Sequence, residues 1–190
     1  MKYTCSCRRN GVGDTCGVRR QLLGLVALTA LSALVGCGER SGDAGALAPV
    51  EINAATSCEL DGMLLADYPG PKAQIRYAGQ EAPVFFCDTV ELFNTLLRPE
   101  QVRKVAAVFV QDMGKANWDQ PRGNWIDAKG GFYVLGSKRH GSMGPTIGSF
   151  AQEADARKFI EQWGGRLLRY DEVKPGMVDL SGGALHDSKM

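Results

Sequence analysis

Histidine is scarce in this chain: only His140 and His186 occur among 190 residues, and neither stands in the His/Glu spacing of a metalloprotease. A glycine-rich phosphate loop is missing, and so is any Ser-His-Asp order, the signatures of P-loop nucleotide hydrolases and of triad hydrolases. A basic excess is absent as well. Lys and Arg number 22 against 21 Asp and Glu, and five of the basic residues lie in residues 1–36, a balance that disfavours a nucleic-acid role, which would want a basic face. The apolar stretch from Leu22 to Val35 is too short to span a bilayer comfortably. Cysteine is present six times but very unevenly. Cys5, Cys7 and Cys16 lie in a polar, Gly- and Arg-rich leader, Cys37 follows the apolar stretch, and only Cys58 and Cys87 fall where a folded domain is expected.

The leader reads as an export signal. Arg19-Arg20 precede the apolar stretch, which closes on Leu34-Val35-Gly36-Cys37, an ending that resembles a bacterial lipobox in which the cysteine is acylated and becomes the first mature residue. Residues 1–36 are then leader and signal peptide, with Cys37 the lipid anchor. Residues 1–17 sit awkwardly in a signal peptide, and a translation start near Val18 accounts for them. The Arg19–Leu23 segment is also similar to a twin-arginine export signal. Gly38 follows the anchor where an inner-membrane retention signal would have aspartate, which points to the outer membrane. Removing residues 1–36 takes away five basic residues and one acidic residue, leaving 154 residues with a net charge of −3. The compartment implied is oxidising, so the two remaining cysteines need an explanation.

With 44% apolar residues the mature chain can bury one full core. Residues 37–56 are small and polar and read as a flexible tether. Gln74–Ala78 and Val84–Cys87 look like paired strands. Asp88 and Glu91 fit a capping box ahead of an apolar helix face, Pro99 stops that helix, and Val102–Val110 reads as a buried strand. The same order then recurs: Trp125–Ala128 and Phe132–Leu135 as strands, a helix through Ala156, Phe159 and Trp163 that ends at Gly164-Gly165, and Arg166–Tyr170 as a closing strand. The expected fold is therefore α+β, two duplicated ββαβ units (about 72–111 and 124–171) around antiparallel sheet. The domain spans 57–175, with a tail at 176–190.

Two segments carry chemistry. Cys58 and Met63 stand five positions apart across an Asp61-Gly62 turn, a thiol and a thioether of the type that selects soft cations, Cu(I) first. Ser137–Ser149 reads as a swollen Gly-rich loop. Met143 in it lies off any apolar periodic face, which makes it a third candidate ligand. Cys87 precedes a helix cap, where a thiol pKa falls, and is a secondary metal candidate, as is His140 in the swollen loop. The competing account joins Cys58 and Cys87, 29 positions apart, in a disulfide worth roughly 3 to 4 kcal/mol by chain entropy, in a binding module without metal. Lys72 reads as a solvated charge, Met113 as a packing residue, and Trp118 and Trp125 as core anchors.

The motifs CELDGMLLADYPGPKAQI, FFCDTVELFNTLLRPEQ, WIDAKGGFYVLGS and GSMG, in that order, resemble the NosL family of copper-binding lipoproteins accessory to nitrous oxide reductase. The resemblance implies a periplasmic, lipid-anchored Cu(I) chaperone, not an enzyme, which works with nitrous oxide reductase and its ABC-type maturation transporter in denitrification. It implies a fold similar to organomercurial lyase. It places Cys58 and Met63 in the family's Cys and Gly-Met motif and Met143 in its Gly-x-Met-Gly motif. Many members carry a second cysteine where this chain has Asp61, which leaves one thiolate and one or two thioethers. A lyase-like enzyme using Cys58, Cys87 and Asp61 is the rival activity.

Overall fold

A computed structural model describes residues 47–180 of the chain. The leader, Cys37 and its acylation, and His186 lie outside them. Among the described residues no helix is long and apolar enough to cross a membrane.

The first half is built on β1 (Ala73–Tyr77), which pairs antiparallel with β2 (Val84–Phe86) on one side and β3 (Val105–Gln111) on the other. Between β2 and β3 runs α1 (Thr89–Leu97), whose N-cap Asp88 accepts a hydrogen bond from the Val90 N–H at 2.9 Å. Its C-cap, Arg98, is extended because Pro99 follows. Leu92 and Phe93 of α1 are buried against the sheet. β4 (Trp125–Asp127) adds to the free side of β3, with Gln111 opposite Trp125, so this sheet runs β2-β1-β3-β4.

The second half uses β5 (Phe132–Gly141), β6 (Gly144–Phe150), α2 (Glu153–Trp163) and β7 (Arg166–Arg169), with sheet order β6-β5-β7 and all pairings antiparallel. Strand, strand, helix, strand occurs in both halves, and in each the first strand of the set is central. The apolar faces of the two halves meet in one core that includes Ile75, Phe86, Phe93, Val110, Tyr133 and Ile147; Phe93 and Tyr133 pack edge to face at 5.1 Å. A second cluster holds Met113, Trp118, Phe150 and Phe159, with Trp118 stacked on Phe159 at 5.1 Å.

Several sequence expectations change. Trp125–Asp127 belongs to the first sheet, so the second set begins at Phe132. The supposed loop at 137–149 is the far end of β5, a tight turn at Ser142-Met143, and β6. Its strand character was hidden by glycine, serine and Pro145; the proline is tolerated because β6 is an edge strand. Gly144 supplies the positive φ, 101°, that follows such a turn. β3 starts three residues after Val102, which is 89% exposed: Gln101 instead turns back to Arg98 and bonds the Arg103 N–H.

The assumed tether is docked from Val50 onward. Val50 exchanges two hydrogen bonds with the Gln74 side chain, Glu51 accepts from the Trp125 indole, and Ile52 is buried. The supposed tail is likewise packed as far as Val178, whose carbonyl accepts from Asn94.

Candidate metal centre

Three separate segments meet at the N-terminal end of α1. The first is the Cys58 loop. Ser57 and Leu64 form an isolated bridge, the Cys58 N–H donates to the Met63 carbonyl at 2.9 Å, and the Gly62 N–H donates back to the Cys58 carbonyl at 3.0 Å. Asp61 closes the turn by accepting from the Met63 N–H at 2.9 Å, and Gly62 takes φ 75°. The Glu59 N–H donates to the Phe85 carbonyl of β2 at 2.9 Å, which pins the loop beside the strand that delivers Cys87.

The second segment is the junction of β2 and α1. Cys87 is fully buried ahead of the cap, and Glu91, third in the helix, turns its carboxylate inward. Glu91 Oε2 lies 3.2 Å from Cys58 Sγ and 3.2 Å from Cys87 Sγ. Asp61 Oδ2 is 4.0 Å from Cys87 Sγ. One ligand atom from each of Cys58, Asp61, Cys87 and Glu91 falls within 4.8 Å of all the others. Glu91 is therefore not the returning half of a capping box; Asp88 caps alone. Cys58 and Cys87 are free thiols, so no disulfide closes the 58–87 loop. They sit with Ile52 and Leu65 in a small apolar cluster, flanked by Phe85 and Trp125.

The third segment is the β5–β6 turn. The Ser142 hydroxyl donates to the Cys87 carbonyl, and the Thr146 hydroxyl donates to Asp88. Close approach demands small residues. A Cβ on Gly141 would fall on the Asp88 carboxylate, and one on Gly70 would lie 2.7 Å from Gly141 Cα. Lys72, at the end of the Pro69-Gly70-Pro71 run, corrects the expectation of a solvated charge. It is fully buried, and its ammonium donates to the carbonyls of Pro69 (2.9 Å) and Cys87 (3.0 Å) and to Ser142 Oγ (3.3 Å).

Burial and mutual charge set the protonation pattern. The hydrogen bond from Cys87 lowers the Cys58 thiol to about 6, aided by backbone N–H groups and opposed by burial. Cys87 is pushed up by that same bond and by burial, so the pair holds one thiolate at Cys58 and one thiol at Cys87. Burial, then the Cys58 charge, raises Glu91 to about 8, and burial raises Asp88 to about 7. Burial lowers Lys72 to about 8, against the attraction of Cys87, Asp88 and Glu91. A preformed thiolate beside a second thiol suits a thiophilic cation.

Of the residues singled out from sequence, Cys58 and Cys87 come together. Met63 is joined to Cys58 through its backbone and is half-buried, while Met143 stands exposed at the turn next to Ser142. His140 lies on β5 opposite Pro145, exposed and outside the four-residue group, and its carbonyl accepts from the Trp118 indole at 2.9 Å. Glu91, Asp88 and Lys72 escaped sequence reasoning as site residues. The available signal was Cys87-x-x-x-Glu91 across a helix start whose cap, Asp88, was already supplied.

A family model described as NosL matches residues 49–178. The copper-binding lipoprotein NosL of Stutzerimonas stutzeri is 35% identical over 169 residues, covering 86% of this chain and 87% of that protein. The protein of the same name from Achromobacter cycloclastes is 36% identical over 165 residues, covering 85% and 84%. The crystal structure of the copper chaperone NosL from Shewanella denitrificans is similar with a TM-score of 0.65 and 41% identity, covering 68% of this chain and 97% of that one. These relatives are named as a lipoprotein and a chaperone, not as enzymes. The chain belongs to the NosL family.

Proposed function

We propose that this protein is an envelope-anchored Cu(I) chaperone, held through Cys37 on the periplasmic side, that supplies copper for the maturation of nitrous oxide reductase together with its ABC-type transporter. The observation that carries the reading is the Cys58–Cys87 thiol pair, buried on an apolar cluster and flanked by methionine-bearing turns. Cys58, lowered toward thiolate, is the principal ligand, with Met63 and Met143 as neutral thioethers and Cys87 as the second thiol. Cu(I) accepts two or three such ligands without strain, which leaves room for an incoming ligand from a recipient. Met143, exposed on its turn, is the ligand placed to leave first. Duplication of the two halves, and a fold shared with organomercurial lyase, belong to the same proposal.

The decisive experiment is anaerobic Cu(I) titration of the reduced protein against a colorimetric chelator, for wild type and for Cys58→Ala, Met63→Ala and Met143→Ala. One Cu(I) per chain, weakened by each change, supports the reading. A wild-type protein that cannot compete with the chelator, or a purified protein whose EPR spectrum shows tightly held stoichiometric Cu(II), sinks it. One observation favours a rival: Cys58, Asp61 and Cys87 are the thiol pair and carboxylate that protonolysis of a carbon–mercury bond would use. Release of methane from a methylmercury–protein mixture measures that activity directly, and the chaperone reading expects none.

A further inference from the structure

Among the described residues Lys72 is the lysine with no exposed surface. A lysine with no exposed surface costs several kcal/mol of desolvation unless its charge is compensated, and it touches no carboxylate. Its three acceptors instead belong to three stretches of chain: its own Pro-Gly-Pro run, the Cys87 carbonyl at the start of α1, and the hydroxyl of Ser142 at the β5–β6 turn. The acidic groups that act on it electrostatically are Cys87, Asp88, Glu91 and Cys58, three of which, Cys58, Cys87 and Glu91, belong to the metal centre. Its own N–H donates to Gln111 Oε1 at 3.0 Å, so the backbone that carries it is fixed to β3. Pinned at both ends, this side chain cannot relax toward solvent without releasing the Ser142 contact.

We infer that Lys72 is a positioning residue for copper, a buried ammonium pin that holds the Ser142-Met143 turn against Cys87 and so keeps Met143 within reach of copper at the thiol pair. The inference rests on the Cu(I) reading above and deepens it. Lys72 contributes no ligand. An ammonium of three donors is suited to this task because the Cys87 carbonyl and Ser142 Oγ both accept from it, so one cation bonds both segments at once beside the single bond that Ser142 itself donates to Cys87. Its positive charge also lies beside a centre that carries a thiolate.

The test is a double-mutant cycle on Cu(I) affinity with Lys72→Leu and Met143→Ala, in the full reduced chain, with the copper–sulfur coordination number read by X-ray absorption. Lys72→Leu keeps apolar bulk, adds no sulfur and removes the pin. Outer-shell partners of a metal site are typically worth about 10–100-fold in affinity. The expectation is a loss within that range for Lys72→Leu, one fewer sulfur at copper, and no additional loss when Met143 is already alanine. Ser142→Ala, which removes the Lys72 contact together with Ser142's own bond to Cys87, shows the same direction and serves if Lys72→Leu does not fold.

A Lys72→Leu protein with lowered thermal stability but unchanged affinity and sulfur count overturns the inference and leaves the copper site intact. So does an effect that is the same in the Met143→Ala background. A Met143→Ala protein with wild-type affinity overturns it too, since there is then no thioether to position. A wild-type protein that binds no Cu(I) defeats the proposed function itself.

Discussion

The two helices begin at corresponding places in the two ββαβ sets, and their first turns differ in almost every chemical respect. At α1, the cap Asp88 is buried and accepts from both Val90 N–H and Thr146, and the third residue of the helix, Glu91, reaches two thiols. At α2, the cap Gln152 makes no side-chain capping bond and is exposed, Glu153 pairs with Arg157 on the surface at 2.5 Å, and the third residue, Asp155, rests beside Gly114. An acid at the third position is common to both and favoured by the helix dipole in both. At α1 two neighbouring segments, the Cys58 loop and the β5–β6 turn, close over it, whereas at α2 the neighbour is residues 112–114, where Asp112 accepts from the Ala151 N–H and Gly114 lies against Asp155. The contrast locates the specialisation of this fold in what covers a helix start rather than in the helix itself.

The largest expected effect tests whether α1's end is the working one. Cys58→Ala removes the thiolate and should weaken Cu(I) binding by more than the ~10–100-fold typical of an outer-shell partner, whereas Glu153→Gln at the other helix start should leave binding unchanged; chelator competition measures both. Cys87→Ala should weaken binding less than Cys58→Ala, because Cys87 holds its proton. Next in size is the closeness of the covering turn. Gly141→Ala drives a methyl into Asp88 and Thr146 and should destabilise the fold by about 1–3 kcal/mol in urea unfolding. Gly114→Ala meets the Asp155 side chain from Oδ2 (2.7 Å) in to Cβ (3.0 Å), a clash with one half-buried residue, and its cost should be the smaller of the two, about 1 kcal/mol. Equal costs at the two glycines would remove this distinction between the two helix starts.

What could be read in the sequence followed the strength of local periodicity. β1, β2, both helices and β7 were legible from alternation, from the Asp88 cap and from Gly164-Gly165, because each signal is local and acts on the backbone directly. β6 was not, since GPTIGSF carries no clean alternation and its Thr146 and Ser149 are buried to bond Asp88 and the Gln111 carbonyl. The cysteines and methionines stood out by element type. Glu91 and Lys72 did not, because a carboxylate at the third helical position and a lysine beside a strand have ordinary surface explanations. Lys72, just before β1, and Gln74 within it alternate like a solvated face, yet residues 50–52 and the β5–β6 turn cover them. Only the tertiary arrangement of segments distant in sequence reveals that.

The smallest effect bears on the caps alone. Asp88→Ala removes an N-cap bond and the acceptor of Thr146, two interactions in a buried setting, and should cost about 1–2 kcal/mol of stability. Gln152→Ala removes a side chain that caps nothing and should stay within ~0.5 kcal/mol. Chemical denaturation of the copper-free reduced protein gives both numbers without interference from ligand binding. If Gln152→Ala proves as costly as Asp88→Ala, the α2 start is held by an interaction of similar weight. The asymmetry between the helix starts would then be one of chemistry at the thiols and not of stability. A cost confined to Asp88 would mean that covering the α1 start also fastens the two halves together, since Thr146 belongs to β6 and Asp88 to the first set, so that anchoring the metal turn and joining the sheets are one structural act.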